Sequence, residues 1–183
     1  MDGLAAKEAL IAQLFHTHSH ALPDLYDACL STCPSAHAWL DEATLFRFYR
    51  KHKFDLEATV TSVSKTTHWR DAQSFASHQA APGMFFTHQA MRDNFGRPAL
   101  LVRLCQCTGE QDVKQAVIGA LEAMRKTMAS LHSTEEPILQ CAVLIDLKDA
   151  GVRNVVSRNA TGNKAGADGV RSPWIWLPFY WIY

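Results

Sequence analysis

A strand, a long helix and a second strand follow one another in the second half of the chain, and this order constrains the fold more than any other feature. Residues 99–106, ALLVRLCQ, form an apolar run of strand length. Over residues 110–131, apolar side chains recur at steps of three and four, which predicts a helix. Residues 138–147, ILQCAVLIDL, form a nearly continuous apolar run, typical of a strand covered on both faces. The order predicts a right-handed βαβ unit and therefore an α/β fold.

The predicted sheet is incomplete. Two strands alone cannot cover both of their faces and edges, and no further strand is evident elsewhere in the sequence. Residues 81–83, APG, break the chain before this part, and residues 93–96, DNFG, have the composition of a hairpin or tight turn. Residues 157–172 are polar and without periodicity, which predicts a disordered linker. Beyond them the chain reads SPWIWLPFYWIY, for which an interfacial membrane anchor is the less favoured interpretation.

The first 80 residues predict a set of short helices. Residues 4–15 have helical apolar spacing, and Pro23 opens a second helix over residues 24–31. Asp55 is expected to cap a later helix that ends near Trp69. The expected apolar side of that helix consists of Leu56, Val60, Val63 and Thr67.

One helix in this region, residues 42–52, combines an apolar stripe with a strongly basic surface. Asp41 precedes it and has the side chain of an N-cap. Its expected apolar stripe consists of Leu45, Phe48 and Tyr49. The basic side chains on and just after it are Arg47, Arg50, Lys51, His52 and Lys53. These cations either meet anionic lipid or form an ordinary solvated helix face.

Composition excludes several classes of function. The 183 residues contain 18 Lys and Arg and 18 Asp and Glu, and this balance argues against non-specific nucleic-acid binding. Asp2, Lys7 and Glu8 interrupt the start, so it does not resemble a signal peptide. No run approaches the roughly 20 apolar residues of a transmembrane helix. We therefore expect a cytoplasmic protein, at most peripheral at membranes.

Neither the cysteines nor the histidines predict a metal site. The five cysteines lack zinc-finger spacing, and we expect buried or idle thiols rather than a disulfide framework. His16 and His20 lie one helical turn apart, but a polar helix end is the favoured interpretation because no carboxylate or thiol lies at ligand spacing. No cofactor is expected.

Four segments together resemble the CRAL-TRIO family, which includes phosphatidylinositol transfer proteins and carriers of tocopherol and retinal. Residues 45–55 (LFRFYRKHKFD) and 65–70 (KTTHWR) resemble the family's helical N-terminal lobe. Residues 93–98 (DNFGRP) resemble the turn into its first core strand, and residues 143–148 (VLIDLK) resemble a later strand. The resemblance covers residues 41–149.

The resemblance implies that the chain divides into three parts. Residues 1–80 are the helical N-terminal lobe, residues 81–156 a partial CRAL-TRIO lipid-binding domain, and residues 157–183 a disordered or non-homologous tail. Asp149 stands where the family usually has glycine, and no match extends beyond Val156. The family's remaining strands and mobile gate would follow there, so the chain looks truncated.

The implied function is binding of a hydrophobic ligand, most simply a phospholipid such as phosphatidylinositol, and its transfer between membranes. By period-two alternation, the expected cavity residues are Leu100, Val102, Leu104, Val143 and Ile145, with an ordinary core as the alternative. His52 occupies the position of a basic headgroup contact in the family. Arg47, Arg50, Lys51 and Lys53 are the expected membrane-docking residues.

Two other functional classes compete with lipid transfer. One is an interaction module without transfer, or a non-functional fragment translated from an unspliced transcript, since Val156-Ser157 can be encoded by a splice-donor sequence. The other is an enzyme. No Cys-x5-Arg motif, nucleophile elbow, Walker loop or dinucleotide glycine signature is present, so we expect no enzymatic activity.

Overall fold

The computed structural model of the protein describes residues 2–73, 85–103, 110–146 and 148. These residues divide into two compact units. The helical unit contains residues 2–73 and 125–139, and the sheet unit contains the other described residues. The described chain is mostly helical with one three-stranded sheet of mixed orientation, so it belongs to the mixed α/β class that the sequence predicts.

Four helices make up most of the helical unit. They are α1 (Asp2–His18), α2 (Leu22–Thr32), α3 (Glu42–Lys51) and α4 (Leu56–Gln73), with short 3-10 helices at Ser19–Ala21 and Pro34–Ala38. Pro23 lies in the first turn of α2, where its missing N–H leaves no helical hydrogen bond unmade. The Asp41 carboxylate accepts a hydrogen bond from the Thr44 N–H at 2.8 Å, which confirms the expected N-cap of α3.

Aromatic side chains form a third of the buried core cluster of the helical unit, five of its 15 residues. Phe15 of α1 and Phe46 of α3 are both fully buried, and their rings meet edge to face with centroids 5.1 Å apart. The predicted stripe of Leu45, Phe48 and Tyr49 is buried, as expected. The sequence pattern missed Phe46, which lies beside that stripe and widens the buried face of α3.

The prediction that Leu56 belongs to the buried side of α4 is wrong. Leu56 is 52% exposed, and the buried line runs instead through Thr59, Val63 and Thr67, each 0% exposed. Threonine can occupy these buried positions because its hydroxyl donates a hydrogen bond to the backbone carbonyl four residues earlier in the helix. The Thr59 and Thr67 hydroxyls donate to the carbonyls of Asp55 and Val63 at 2.5 and 2.9 Å.

Three strands and the long helix α5 (Glu110–Leu131) define the topology of the second part of the chain. The strands are β1 (Phe85–Arg92), β2 (Pro98–Arg103) and β3 (Ala142–Asp146), in the sheet order β1-β2-β3. β1 pairs antiparallel with β2, and β2 pairs parallel with β3. Because α5 lies between β2 and β3 in sequence, the connection is the β-α-β order that the sequence predicts.

The sheet differs from the prediction in two respects. β1 was not predicted, because FFTHQAMR lacks a regular alternation, and it supplies a third strand. β3 is shorter than the apolar run that contains it, and Leu144 at its centre is 53% exposed. The expectation of a strand covered on both faces is therefore wrong at that position.

The predicted turn at residues 93–96 is confirmed and joins β1 to β2. The Asp93 carboxylate accepts hydrogen bonds from the N–H groups of Phe95 and Arg97, both at 3.0 Å, and from the Arg97 Nε at 2.6 Å. Gly96 adopts a φ of +75°, which side-chain-bearing residues disfavour. Burial tends to raise the pKa of Asp93, but the Arg97 side chain, these two N–H groups and the Arg97 charge outweigh burial and lower it.

None of the described helices is both long and apolar enough to cross a bilayer. The predicted boundary near residue 80 and the predicted linker and aromatic tail at 157–183 lie outside the described residues. The three predicted parts of the chain thus stay a prediction.

Candidate functional site: a sheet face and a basic turn

The sheet brings together the residues predicted to line a ligand cavity. In the parallel register Leu100 lies opposite Val143, and Val102 lies opposite Ile145. Paired residues of parallel strands project on the same side of a sheet, so these four positions share one face. We call it the inner face. Leu104 and the side chain of Ile145 lie outside what the structure describes.

The inner face has little surface to offer a ligand. Leu100 is only 2% exposed, and Val102 and Val143 are partly buried. Protein atoms already cover Leu100, so a ligand gains almost nothing by covering it again. Leu100 is therefore an ordinary core residue, which is the alternative to a cavity residue that the sequence left open.

The opposite face of the same two strands is more open, and we call it the outer face. Leu101 lies opposite Leu144 in the parallel register, and Leu101 also pairs with Phe86 in the antiparallel register. Leu101 is partly buried, whereas Leu144 is 53% exposed. Sequence reasoning missed this pair, because alternation assigns residues to two faces without revealing which face the protein covers.

A charged pair closes one end of the outer face. Arg103 and Asp146 lie opposite each other at the last positions of β2 and β3, with the Arg103 Nε 3.8 Å from the Asp146 carboxylate. Both side chains are partly exposed, at 44% and 36%. The carboxyl ends of parallel strands are where open α/β sheets usually bind ligands. The outer face therefore combines an apolar centre with a polar end.

The predicted docking residues of α3 are not equally exposed. The Arg47 guanidinium donates to the Thr44 hydroxyl at 2.7 Å and contacts the Met128 sulfur at 4.0 Å. Burial lowers the pKa of Arg50, an effect that the Glu8 carboxylate opposes. Arg47 and Arg50 are thus partly buried, whereas Lys51 and Lys53 are exposed.

The segment of residues 51–56, from the last residue of α3 to the first residue of α4, has an unusual backbone. Lys53 and Phe54 adopt φ values of +55° and +64°, a left-handed conformation that costs roughly 1–2 kcal/mol for each such residue. Stacking of the Phe54 ring on His18 offsets this cost, with ring centroids 3.6 Å apart and planes at 10°. The Tyr49 ring meets Phe54 edge to face at 5.2 Å. We call this segment the basic turn.

His52, the predicted headgroup contact, lies in the basic turn and lines a shallow groove of about 470 Å³. The other lining residues are Asp55, Glu57, Ala58, Thr61, Ser62 and Lys65. The Nε2 atom of His52 is buried without a hydrogen-bond partner. Two carboxylates and one lysine line the groove, so it carries no clear preference for an anion.

A second polar cluster ties α5 to the start of α3 within the helical unit. The Asp41 carboxylate caps α3 with one oxygen and accepts a hydrogen bond from the Arg125 guanidinium at 2.7 Å with the other. Both side chains are largely buried, with Arg125 17% and Asp41 26% exposed. One carboxylate therefore makes two structural contacts, one with Thr44 in the next turn of the chain and one with Arg125, 84 residues further along the sequence.

The described cysteines and histidines do not assemble a metal centre. Among the residues that the structure describes, no group of three or more His, Cys, Asp or Glu side chains lies close enough together to hold a metal ion. His16 lies in the last turn of α1, and His20 lies in the short helix that follows. Cys29 and Cys33 are buried thiols at the end of α2, and burial raises the pKa of Cys29 to about 11.

Comparisons of the chain with protein-family models, with curated proteins and with solved structures find no match. The functional interpretation therefore depends on the geometry of the outer face and the basic turn, and on the sequence motifs in which they lie.

Proposed function

We propose that the protein binds a hydrophobic ligand on the outer face of its sheet and carries it between membranes without covalent chemistry. The single observation that supports this proposal is the apolar side chain of Leu144, which is 53% exposed at the centre of β3 and lies beside Leu101. Covering exposed apolar surface with an acyl chain is favourable by about 25 cal/mol for each Å² removed from water.

The ends of the strands favour a ligand with a polar head. Arg103 and Asp146 offer donor and acceptor groups at the same end of the outer face. A site that combines apolar walls with a few polar groups fixes both the position and the orientation of an amphiphile. A phospholipid such as phosphatidylinositol has this chemistry, in keeping with the CRAL-TRIO resemblance of residues 45–55 and 143–148.

The test is titration of the purified chain with a fluorescent short-chain phosphatidylinositol, compared between wild type and Leu144→Gln. The substitution removes apolar contact and forces an amide against the ligand, so we expect affinity to fall about tenfold or more. Leu10→Gln is the matched control, because Leu10 of α1 is 54% exposed and lies in the helical unit. It should bind the lipid as wild type does.

Native mass spectrometry of the chain purified from cells provides the second readout. A stoichiometric lipid adduct that is lost in Leu144→Gln supports the proposal. Absence of lipid binding in both experiments, or equal losses in Leu144→Gln and Leu10→Gln, would contradict it.

An interaction module is the second candidate function, and the position of β3 favours it. β3 is the outermost strand of the described sheet, so its backbone edge and Leu144 are together suited to another protein chain. In that case the purified chain carries no lipid, and neither wild type nor Leu144→Gln binds the fluorescent lipid in the titration. Leu144→Gln instead lowers the association of the chain with a protein. The same pair of variants therefore separates the two functions.

A further inference from the structure

A groove of about 410 Å³ lies between α2 and the start of α3 in the helical unit. Its lining combines apolar side chains with three carboxylates, and among the described residues no lysine or arginine lines it. We call it the acidic groove, and its lining residues are Leu22, Pro23, Tyr26, Asp27, Leu40, Asp41, Glu42 and Leu45. None of them belongs to the sheet or to the basic turn, so the functions considered above leave this groove unused.

The three leucines of the acidic groove are already covered by the protein. Leu22, Leu40 and Leu45 are only 1–3% exposed, so a ligand gains little by covering them again. The Tyr26 ring is partly exposed, and Asp27 is exposed. Affinity for a ligand therefore depends on contacts with the aromatic ring and with the carboxylates more than on apolar burial.

The acidic groove keeps a net negative charge after its own ion pairs are counted. Arg125 neutralises Asp41, with its guanidinium 2.7 Å from that carboxylate. The His132 Nε2 lies 3.5 Å from the Glu42 carboxylate and offsets its charge only when the imidazole is protonated. The Asp27 carboxylate has no hydrogen bond or ion pair within the described part of the chain. One or two of the three negative charges thus remain for a ligand.

We propose that the acidic groove binds an arginine side chain presented by a basic segment of a partner protein. Charge complementarity selects a cation, because the carboxylates of the groove exceed the cations that pair with them. A guanidinium forms two parallel hydrogen bonds to a carboxylate and stacks on an aromatic ring, whereas an ammonium group lacks this planar shape. Asp27, Glu42 and Tyr26 supply both kinds of contact in one groove.

Two arginines of this chain already make these contacts. At the acidic groove itself, the Arg125 guanidinium donates to the Asp41 carboxylate at 2.7 Å. Elsewhere in the helical unit, the Arg70 guanidinium lies over the Trp39 ring, 4.8 Å from its centroid, where a cation is attracted to an aromatic face. An arginine from a partner would make both kinds of contact at once.

The shallow shape of the acidic groove favours a protein segment over a single small cation. Ion pairs that stay exposed to water contribute little, so one cation alone binds weakly. A basic segment brings several cations to the same surface, and each additional one then binds at a high effective concentration. This docking involves only the helical unit and does not depend on the ligand proposed for the outer face.

The experiment is fluorescence anisotropy of a labelled hexa-arginine peptide titrated with the full chain at low salt concentration, in parallel with hexa-lysine. We expect hexa-arginine to bind roughly threefold more tightly or better, because lysine lacks the planar donor geometry. Asp27→Asn should weaken binding of hexa-arginine about two- to fivefold, the factor that one exposed ion pair contributes. Tyr26→Leu should weaken it by about the same factor through loss of the aromatic face, and Tyr26→Phe should preserve it.

Glu57→Gln is the matched charge control, because Glu57 is an exposed carboxylate of α4 in the same unit. It should bind hexa-arginine as wild type does. Leu144→Gln should also bind as wild type does, so failure of this docking and failure of the ligand on the sheet are distinguishable.

Several results would overturn the inference. They are absence of binding to hexa-arginine, equal affinity for hexa-lysine, an unchanged affinity in Tyr26→Leu, and equal losses in Glu57→Gln and Asp27→Asn. Displacement of hexa-arginine by an equal concentration of spermidine would identify a small organic cation as the occupant, and it too would overturn the proposed protein partner.

Discussion

Removing the carboxylate of Asp41 should cost the helical unit more stability than removing its charge alone. Asp41→Ala deletes both contacts of the side chain, the α3 cap and the ion pair with Arg125. A cap contributes about 1 kcal/mol, and a hydrogen bond to a charged group contributes about 1.5–3 kcal/mol. We therefore expect Asp41→Ala to lower the free energy of unfolding by about 2–4 kcal/mol.

Asp41→Asn separates these two contributions. Asparagine caps helices about as well as aspartate, so this variant keeps the bond to the Thr44 N–H and loses the charge that faces Arg125. The expected loss is about 1–2 kcal/mol. The pair is more buried than the exposed pairs that contribute little to stability, since its side chains are only 17% and 26% exposed.

Urea unfolding followed by far-ultraviolet circular dichroism measures these differences. A double-mutant cycle of Asp41→Asn with Arg125→Met should give a coupling free energy of about 1 kcal/mol or more. Asp27→Asn, which removes an exposed carboxylate of α2, should change stability by less than about 0.5 kcal/mol. Equal losses in Asp41→Ala and Asp41→Asn, or a coupling free energy near zero, would refute the argument.

Two further predictions concern the β1–β2 turn and a buried thiol. Because the pKa of Asp93 is lowered in the folded protein, its ionised form stabilises the fold above the unfolded pKa near 4, and this stabilisation is lost as pH falls through the folded pKa. Asp93→Asn should therefore be less stable than wild type at pH 7. The difference in free energy of unfolding should narrow in urea titrations as the pH falls below the unfolded pKa, and a constant difference would contradict this. Cys29 is 1% exposed, and burial raises its pKa to about 11. Iodoacetamide at pH 8 should therefore alkylate Cys29 only when the protein opens, and more slowly than it alkylates the partly exposed Cys141. Peptide mapping by mass spectrometry measures both rates, and equal rates would contradict the buried position of Cys29.

Local signals predicted the helices and the turn of this chain well. Asp41 and Asp55 cap the two helices that the sequence assigns to them, and residues 93–96 form the expected turn. Each of these features depends on residues within a few positions of one another. The side chain at the cap or the glycine in the turn is therefore sufficient to predict them.

Features that depend on distant residues were harder to predict. β1 has no clear alternation and forms because β2 offers a partner strand. Leu101 and Leu144 alternate as regularly as Leu100 and Val143, and only the three-dimensional packing shows that Leu144 stays exposed while Leu100 is buried. The pairing of Asp41 with Arg125 spans 84 residues, and no local pattern indicates it.

The discontinuity of the helical unit has a consequence for synthesis on the ribosome. Residues 2–73 emerge first, yet Arg125 and the buried Leu139 belong to the same unit and complete its ion pair and core. At about 5–20 residues per second, the 66 residues from 73 to 139 take roughly 3–13 s to make. During that interval the nascent helices lack the Arg125 ion pair and the Leu139 side chain, so part of their core stays exposed until residue 139 has been made.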